Sequence, residues 1–243
     1  TSKINTYTIG FSEEDYDESK HASKIAKYIG TDHNEYIASH DDIMNVIPSL
    51  PLLYDEPFAD SSQIPTYLVC NFASKDITVA LSGDGGDEIF SGYNRYLWAP
   101  KFFNLINRYP SFLRKLFKSS TKWLRVNHIQ KLYDVFKIIL PKSFHVVAPA
   151  EKFEKILRII DKEDEFEVYD TLRSIMHIDN PTLDFKDNLY SEKKEIFSNF
   201  GSNFLEKMMY TDIASYMLDD ILVKVDRAAM ANSLETRMPF LDY

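Results

Sequence analysis

The sequence predicts an α/β fold, a mostly parallel sheet joined to a large helical part, and three observations predict it. Over the first hundred residues β-rich runs alternate with helix-patterned runs, the signature of βαβ units that pair strands in parallel and cover the sheet on both faces. The apolar run Ile77-Thr78-Val79-Ala80-Leu81 ends in a glycine-rich turn, Ser82-Gly83-Asp84-Gly85-Gly86-Asp87-Glu88, which opens onto a helix-like stretch from Ile89 to Tyr96. From about residue 97 strands give way to helical patterning. The expected division is an α/β nucleotide-binding part over 1–96, a helical insertion over 97–206 and a helical return to the site over 207–243.

Ile4 to Ile9 is β-rich and ends at Gly10, which predicts the first strand. Asp15 or Asp17 caps the next helix, whose Ala22, Ile25, Ala26 and Ile29 share one face while Lys20, Lys24 and Lys27 share the other. Gly30 stops it in a left-handed cap. His33 to Ala38 reads as a second strand, and Asp41 to Leu53 as a helix interrupted by Pro48 and Pro51. Asp55-Glu56-Pro57-Phe58-Ala59-Asp60-Ser61-Ser62 leads into a helix that runs to about Ala73 and tolerates Pro65 in its first turn. In parallel sheets ligands collect outside the carboxyl ends of the strands. That rule predicts that Ile9, Gly10 and Phe11 share a rim with the 82–88 turn.

Beyond residue 97 the pattern is helical. Pro100 to Leu140 interleaves Lys101, Arg108, Arg114, Lys115, Lys118, Lys122, Arg125 and Lys131 with aromatics, which favours amphipathic helices with a solvated basic face over an RNA surface. Glu151 to Phe204 is acidic and helical, with a turn at Asn180-Pro181. Lys207 to Tyr243 again reads as helix, and Glu235-Thr236-Arg237-Met238-Pro239-Phe240-Leu241-Asp242 as a buried loop after it.

Composition narrows the function. A net charge of −9 and a pI near 5.2 argue against a nucleic-acid or membrane-surface binder. One cysteine, Cys70, excludes an intramolecular disulfide framework and reads as a buried small apolar residue. No signal peptide is visible and no apolar run approaches about 18 residues, so a cytoplasmic protein is expected. His21, His33, His40, His128, His145 and His177 show no metal-ligand spacing.

Chemistry concentrates in the glycine turn. A strand, a glycine-rich turn and a helix start gather backbone N–H groups that hold a phosphate oxyanion. Two aspartates and a glutamate there would repel a bare phosphate, and make sense with Mg²⁺ between carboxylate and phosphate. The same residues also suit a tight turn whose aspartates cap the next helix. A twelve-residue EF-hand spacing is absent. Downstream, Lys224 and Arg227 lie three apart on one helix face, suited to a polyphosphate leaving group or to pairing with carboxylates such as Asp220.

Taken together, Tyr7-Thr8-Ile9-Gly10-Phe11, Tyr16-Asp17-Glu18-Ser19, Gly30-Thr31-Asp32-His33, Tyr54 to Ser62, Leu81 to Tyr93, and Lys224-Val225-Asp226-Arg227 through Asp242 resemble the synthetase domain of glutamine-hydrolysing asparagine synthetases. The resemblance implies an adenine-nucleotide α-hydrolase-like (PP-loop ATPase) fold. It also implies ATP-dependent amidation of aspartate through β-aspartyl-AMP, with ATP and Mg²⁺ required and ammonia supplied by glutamine hydrolysis in a glutaminase domain of the full-length chain. No nucleic-acid or membrane partner is implied, and a homodimer is compatible with it.

By the same resemblance Ile9, Gly10, Ser82, Gly83 and Gly85 are nucleotide-binding, Asp87 is a magnesium ligand, and Asp60, Ser61 and Glu235 bind the amino-acid substrate. Asp84, Lys224 and Arg227 are the catalytic candidates, with either Lys224 or Arg227 in the role of the family's lysine. The chain departs from the family in lacking the Ser-Gly-Gly-x-Asp-Ser pyrophosphate loop and the N-terminal cysteine of the glutaminase, since it starts at Thr1. A fragment of a longer enzyme, inactive alone, is therefore expected. Relatives that adenylate another carboxylate, and a non-catalytic nucleotide-binding fragment, are the alternatives.

Overall fold

The computed structural model describes residues 3–12, 17–121, 149–174 and 187–242. The cap at Asp15, the turn at Asn180-Pro181, the motif residue Tyr16, the basic residues Lys122, Arg125 and Lys131, and His128, His145 and His177 lie outside the described residues. The chain divides into two compact units, Thr1–Ile89 with Ile213–Tyr243, and Phe90–Asp212.

In the first unit, β1 (Asn5–Phe11) and β2 (Asp32–Ala38) pair in parallel across α1 (Ser19–Ile29), with Asn5 opposite Asp32 and Phe11 opposite Ala38. Gly30 ends α1 at φ 84°, donating its N–H to the Ala26 carbonyl at 2.8 Å, as a left-handed cap requires. The expected apolar face of α1 is covered only in part: Ala26 is buried, but Ile25 and Ile29 stay exposed. A two-stranded sheet, about 5 Å from strand to strand, is too narrow a floor for the whole stripe.

Ser39 and Asp42 form a reciprocal capping box that starts α2 (His40–Val46). Pro48 and Pro51 divide the expected 41–53 helix into α2, a 3₁₀ turn (Ile47–Ser49) and α3 (Leu50–Tyr54). Next come α4 (Gln63–Ala73), β3 (Val79–Leu81) and α5 (Gly86–Phe90). The helix expected over Ile89–Tyr96 is broken, because Ser91 adopts φ 61° and Gly92 follows it.

The helical return also differs from expectation. It runs through π-type turns (Asp212–Leu222) into α12 (Val223–Met230), but Glu235–Arg237 forms a strand, β4, where a buried loop was expected. β4 pairs in parallel with β3, placing Ala80 opposite Thr236, and the Ser82 N–H extends the ladder to the Arg237 carbonyl at 2.8 Å. The strands therefore form two separate parallel pairs among the described residues, rather than one sheet. Small side chains let α12 approach α4: Cys70, Ala73, Ala228, Ala229 and Leu234 form the core of this unit.

The second unit is helical among its described residues: α6 (Asn94–Ile106), α7 (Ser111–Thr121), α8 (Pro149–Ile159), α9 (Glu165–Arg173), α10 (Asp187–Asn199) and α11 (Phe204–Thr211). Tyr96, Phe103, Ile159, Phe166, Tyr169, Phe197, Phe204 and Met208 share its core. Within it Asp212 is fully buried and accepts from three sides. Arg95 Nη2 donates at 2.7 Å, Tyr169 Oη at 2.8 Å, and Tyr96 Oη through a short bond. Burial and the Asp212 charge push both tyrosine hydroxyls far up, so they remain donors at any physiological pH. The Arg95 guanidinium also lies over the Tyr93 ring, 4.0 Å from its centroid. No helix among the described residues is long and apolar enough to cross a membrane.

Candidate active site

A cavity of about 750 Å³ opens within the first unit. Its walls are the start of β1 (Asn5, Thr6, Tyr7), one side of α4 (Thr66, Val69, Cys70, Ala73), β3 with Ser82 and Asp84, the α12 residues Lys224 and Val225, and Leu234 and Thr236. β4 supplies Thr236 but not Glu235, because alternate residues of a strand face opposite sides. Glu235 is exposed on the other face, accepting from Arg237 Nε at 2.8 Å.

The glycine turn brings the side chains of Ser82 and Asp84 together. Ser82 Oγ donates a short hydrogen bond to Asp84 Oδ2, and the Asp84 N–H points back to Ser82 Oγ at 3.4 Å, so the carboxylate is oriented within the turn. Gly85 has φ 85°, and a Cβ there would lie 2.6 Å from Leu241 Cδ2. Backbone conformation and packing by themselves require glycine there. At Gly83 a Cβ would meet nothing within 4 Å, which leaves that peptide open to approach.

Lys224 carries the positive charge of the cavity. Its side chain is 9% exposed, and Nζ donates to Asp60 Oδ2 and to Ser62 Oγ, both at 2.7 Å. An ammonium has three N–H bonds, so these two leave one for a ligand. Tyr54, buried and stacked on Phe58 with centroids 4.6 Å apart, directs its hydroxyl to the Lys224 carbonyl at 3.4 Å. Burial, with the charges of Asp60, Cys70 and Asp220, pushes that phenol up to about 12. Burial, and then the Asp84 charge, push the Cys70 thiol up to about 11, so it is no nucleophile at neutral pH.

Burial works to raise the Asp60 carboxyl, but the bonds it accepts from Lys224 and from the Ser62 hydroxyl and N–H outweigh it and hold the group below the usual carboxylate range. A group depressed on folding contributes stability that is present above its unfolded value, about pH 3.9, and lost as pH falls through the folded value. The stability advantage of the wild type over Asp60→Asn, measured by thermal unfolding, is therefore expected to be full at neutral pH and to vanish in acid. An advantage that grew with acidification would contradict this.

Of the residues singled out in the sequence, the structure gathers Ser82, Asp84 and Lys224 on the cavity, with Asp60 bound to Lys224. Ile9 and Gly10 lie farther along β1 than the residues that line it, and a Cβ on Gly10 would lie 2.6 Å from Ile37 Cδ1. Arg227 sits outside, in an exposed pair with Asp55 at 3.2 Å, and the carboxylate bonded to Lys224 is Asp60. Ser61 is exposed; Ser62, one residue on, makes the contact. Ser62 immediately precedes α4 but makes no side-chain cap bond to it; its hydroxyl turns to Asp60 and Lys224 instead.

Asp87 is exposed in the first turn of α5, and no group of three His, Cys, Asp or Glu among the described residues could hold a metal ion. That donor set fits Mg²⁺ arriving with phosphates and one carboxylate, and does not fit a metal held by protein alone.

The family described as "Asparagine synthase" matches this chain over residues 1–243. "Asparagine synthetase [glutamine-hydrolyzing] 1" of Bacillus subtilis is 32% identical, over 98% of this chain and 35% of its own length. "Putative asparagine synthetase [glutamine-hydrolyzing] 2" of Methanocaldococcus jannaschii is 33% identical, over 94% of this chain and 40% of its own. A "Putative asparagine synthetase [glutamine-hydrolyzing]" of Mycobacterium bovis is 30% identical, over 99% and 34% respectively. The chain thus spans between a third and two fifths of the length of these relatives. A match over every residue, joined to these identities, decides the affiliation: the chain belongs to the asparagine synthase family.

Proposed function

We propose that this chain is the synthetase part of an enzyme that amidates aspartate with ATP, using ammonia released from glutamine by a separate domain of the full-length protein. The observation that carries the reading is the buried Lys224 ammonium on the same cavity as Ser82 and Asp84. A carboxylate is a poor electrophile, so it must first acquire a leaving group. An oxygen of the aspartate side chain attacks the α-phosphorus of ATP, the bond to pyrophosphate breaks, and β-aspartyl-AMP forms. Ammonia then attacks the acyl carbon, the bond to AMP breaks, and the nitrogen sheds a proton.

In this scheme the third N–H of Lys224 meets the departing phosphate, where charge builds up. Asp84, oriented by Ser82, serves the adenylate step and takes the proton from ammonia. Ser82 and the open peptide of Gly83 lie against the nucleotide. Asp87 would be the carboxylate that holds Mg²⁺, which would supply neutralisation of the phosphate charge. Among the described residues β1 pairs with β2 alone and β3 with β4 alone, and residues of both β1 and β3 line the cavity, so its walls suit one more strand between them. We assign that place to a strand carrying the pyrophosphate loop, supplied by the full-length chain.

Aspartate-dependent release of pyrophosphate by the full-length protein, with ammonia and ATP, is the expected result; release without aspartate dependence would overturn the substrate. The 243-residue chain alone is expected to bind Mg-ATP far more weakly than the full-length protein, since its phosphate contacts are incomplete. Calorimetric titration giving micromolar affinity for this chain would refute that.

A further inference from the structure

Asp60 does not present a vacant carboxylate to a substrate. Its Oδ2 accepts from Lys224 Nζ at 2.7 Å and from Ser62 Oγ at 2.7 Å, while Oδ1 accepts the Ser62 N–H at 2.8 Å. The turn that carries both residues is fixed in its turn. The Asp60 carbonyl accepts the Gln63 N–H at 3.2 Å, the Ser62 carbonyl accepts the Thr66 N–H at 3.0 Å and Oγ1 at 2.8 Å, and Gln63 Nε2 donates to the Phe58 carbonyl at 3.0 Å. The receiving end of the ion pair is thus rigid and mostly buried, at 16% exposure for Asp60.

We propose that Asp60 and Ser62 are positioning residues for Lys224, holding its ammonium at one place on the cavity wall before any ligand arrives. Two physical needs support this. A buried cation without a counter-charge tends to shed its proton and would then offer a lone pair where a phosphate needs a donor. A lysine also carries a flexible four-carbon stem, so a cation that must meet charge only in the transition state gains from being held beforehand.

A competing use of the same contacts is a latch, with the 55–62 segment occupying both cations of α12 until phosphates displace it. The two pairs are too unlike for that. Arg227 and Asp55 are 48% and 74% exposed and joined by one bond of 3.2 Å, a surface pair of little consequence, whereas Lys224 is enclosed and doubly bonded.

The inference rests on Lys224 acting at the departing phosphate, and the test separates the two. In the full-length protein Asp60→Asn is expected to lower kcat by about 10- to 100-fold, while KM for aspartate changes little. Ser62→Ala, which keeps the carboxylate and its turn, should lose a smaller factor in the same parameter. Adding Asp60→Asn to Lys224→Met should cost nothing further, because residues that act through one another are not additive.

Acetylation of Lys224 by acetic anhydride, followed by peptide mass spectrometry, needs no substrate and should run several-fold faster in Asp60→Asn than in the wild type. A rise in KM for aspartate at unchanged kcat would make Asp60 a substrate contact. Tighter inhibition by pyrophosphate in Asp60→Asn would make the pair a latch. Additive losses with Lys224→Met, or an unchanged acetylation rate, would equally overturn the proposal. If the wild type shows no aspartate-dependent turnover, the functional reading fails there, and the acetylation comparison still decides this one.

Discussion

Lys224→Met in the full-length protein is expected to reduce the rate of pyrophosphate release by about 10²- to 10³-fold, the scale on which one preorganised donor to developing charge acts in a water-poor site. Lys224 is the enclosed cation, lines the cavity and keeps one N–H beyond the two given to Asp60 and Ser62. Arg227 shares its helix, yet lies at the surface beside an exposed Asp55 and does not line the cavity. Arg227→Met should therefore cost no more than about tenfold, in line with a screened outer contact. Single-turnover measurement of pyrophosphate release checks both. Equal losses, or a larger loss at Arg227, would reverse the assignment.

The largest effect on stability is expected at Asp212→Ala. The carboxylate is fully buried and neutralises Arg95, whose side chain is 20% exposed, while binding the hydroxyls of Tyr96 and Tyr169. Removing one partner of a buried ion pair leaves an uncompensated charge and costs about 3–5 kcal/mol. For a chain of this size that corresponds to a fall of roughly 6–20 °C in Tm. Tyr169→Phe removes a single neutral donor and should cost about 1 kcal/mol. Asp212→Leu combined with Arg95→Met should recover only the part of the loss that comes from the unpaired Arg95 charge, because the buried hydroxyls of Tyr96 and Tyr169 still lose their acceptor. Thermal and denaturant unfolding check the series, and a loss below about 1 kcal/mol for Asp212→Ala would contradict it.

Local signals made much of this readable beforehand. β1, α1, β2 and α4 follow from β-rich runs, apolar spacing and the Gly30 cap, all of which act within a few residues. Ser82, Asp84 and Lys224 were readable because their motifs carry their own chemistry. Pairings made across long stretches of sequence were not. β4 is three residues long, two of them charged, and becomes a strand only because Val79–Leu81 offers a free edge. The carboxylate bonded to Lys224 was illegible for the same reason: Asp60 lies 164 residues away in sequence, and helical spacing points only to neighbours such as Asp220. Ser61 and Ser62 are chemically identical, and only the helix start at Gln63 settles which one faces inward.

The parallel pair of β3 with β4 also bears on how the molecule comes into being. The first unit joins Thr1–Ile89 to Ile213–Tyr243, so its halves are separated by the entire helical unit. Closing such a large loop costs entropy before any contact can offset it, and contacts so distant in sequence form slowly. During synthesis from the N-terminus, β1, β2 and α4 must wait with one side of their core uncovered until α12 and β4 emerge. Helices of the second unit, built from nearer neighbours, can settle in the meantime. Lys224 meets Asp60 only once both halves of the unit have emerged, so the cavity takes shape after the strands and helices that wall it on the N-terminal side.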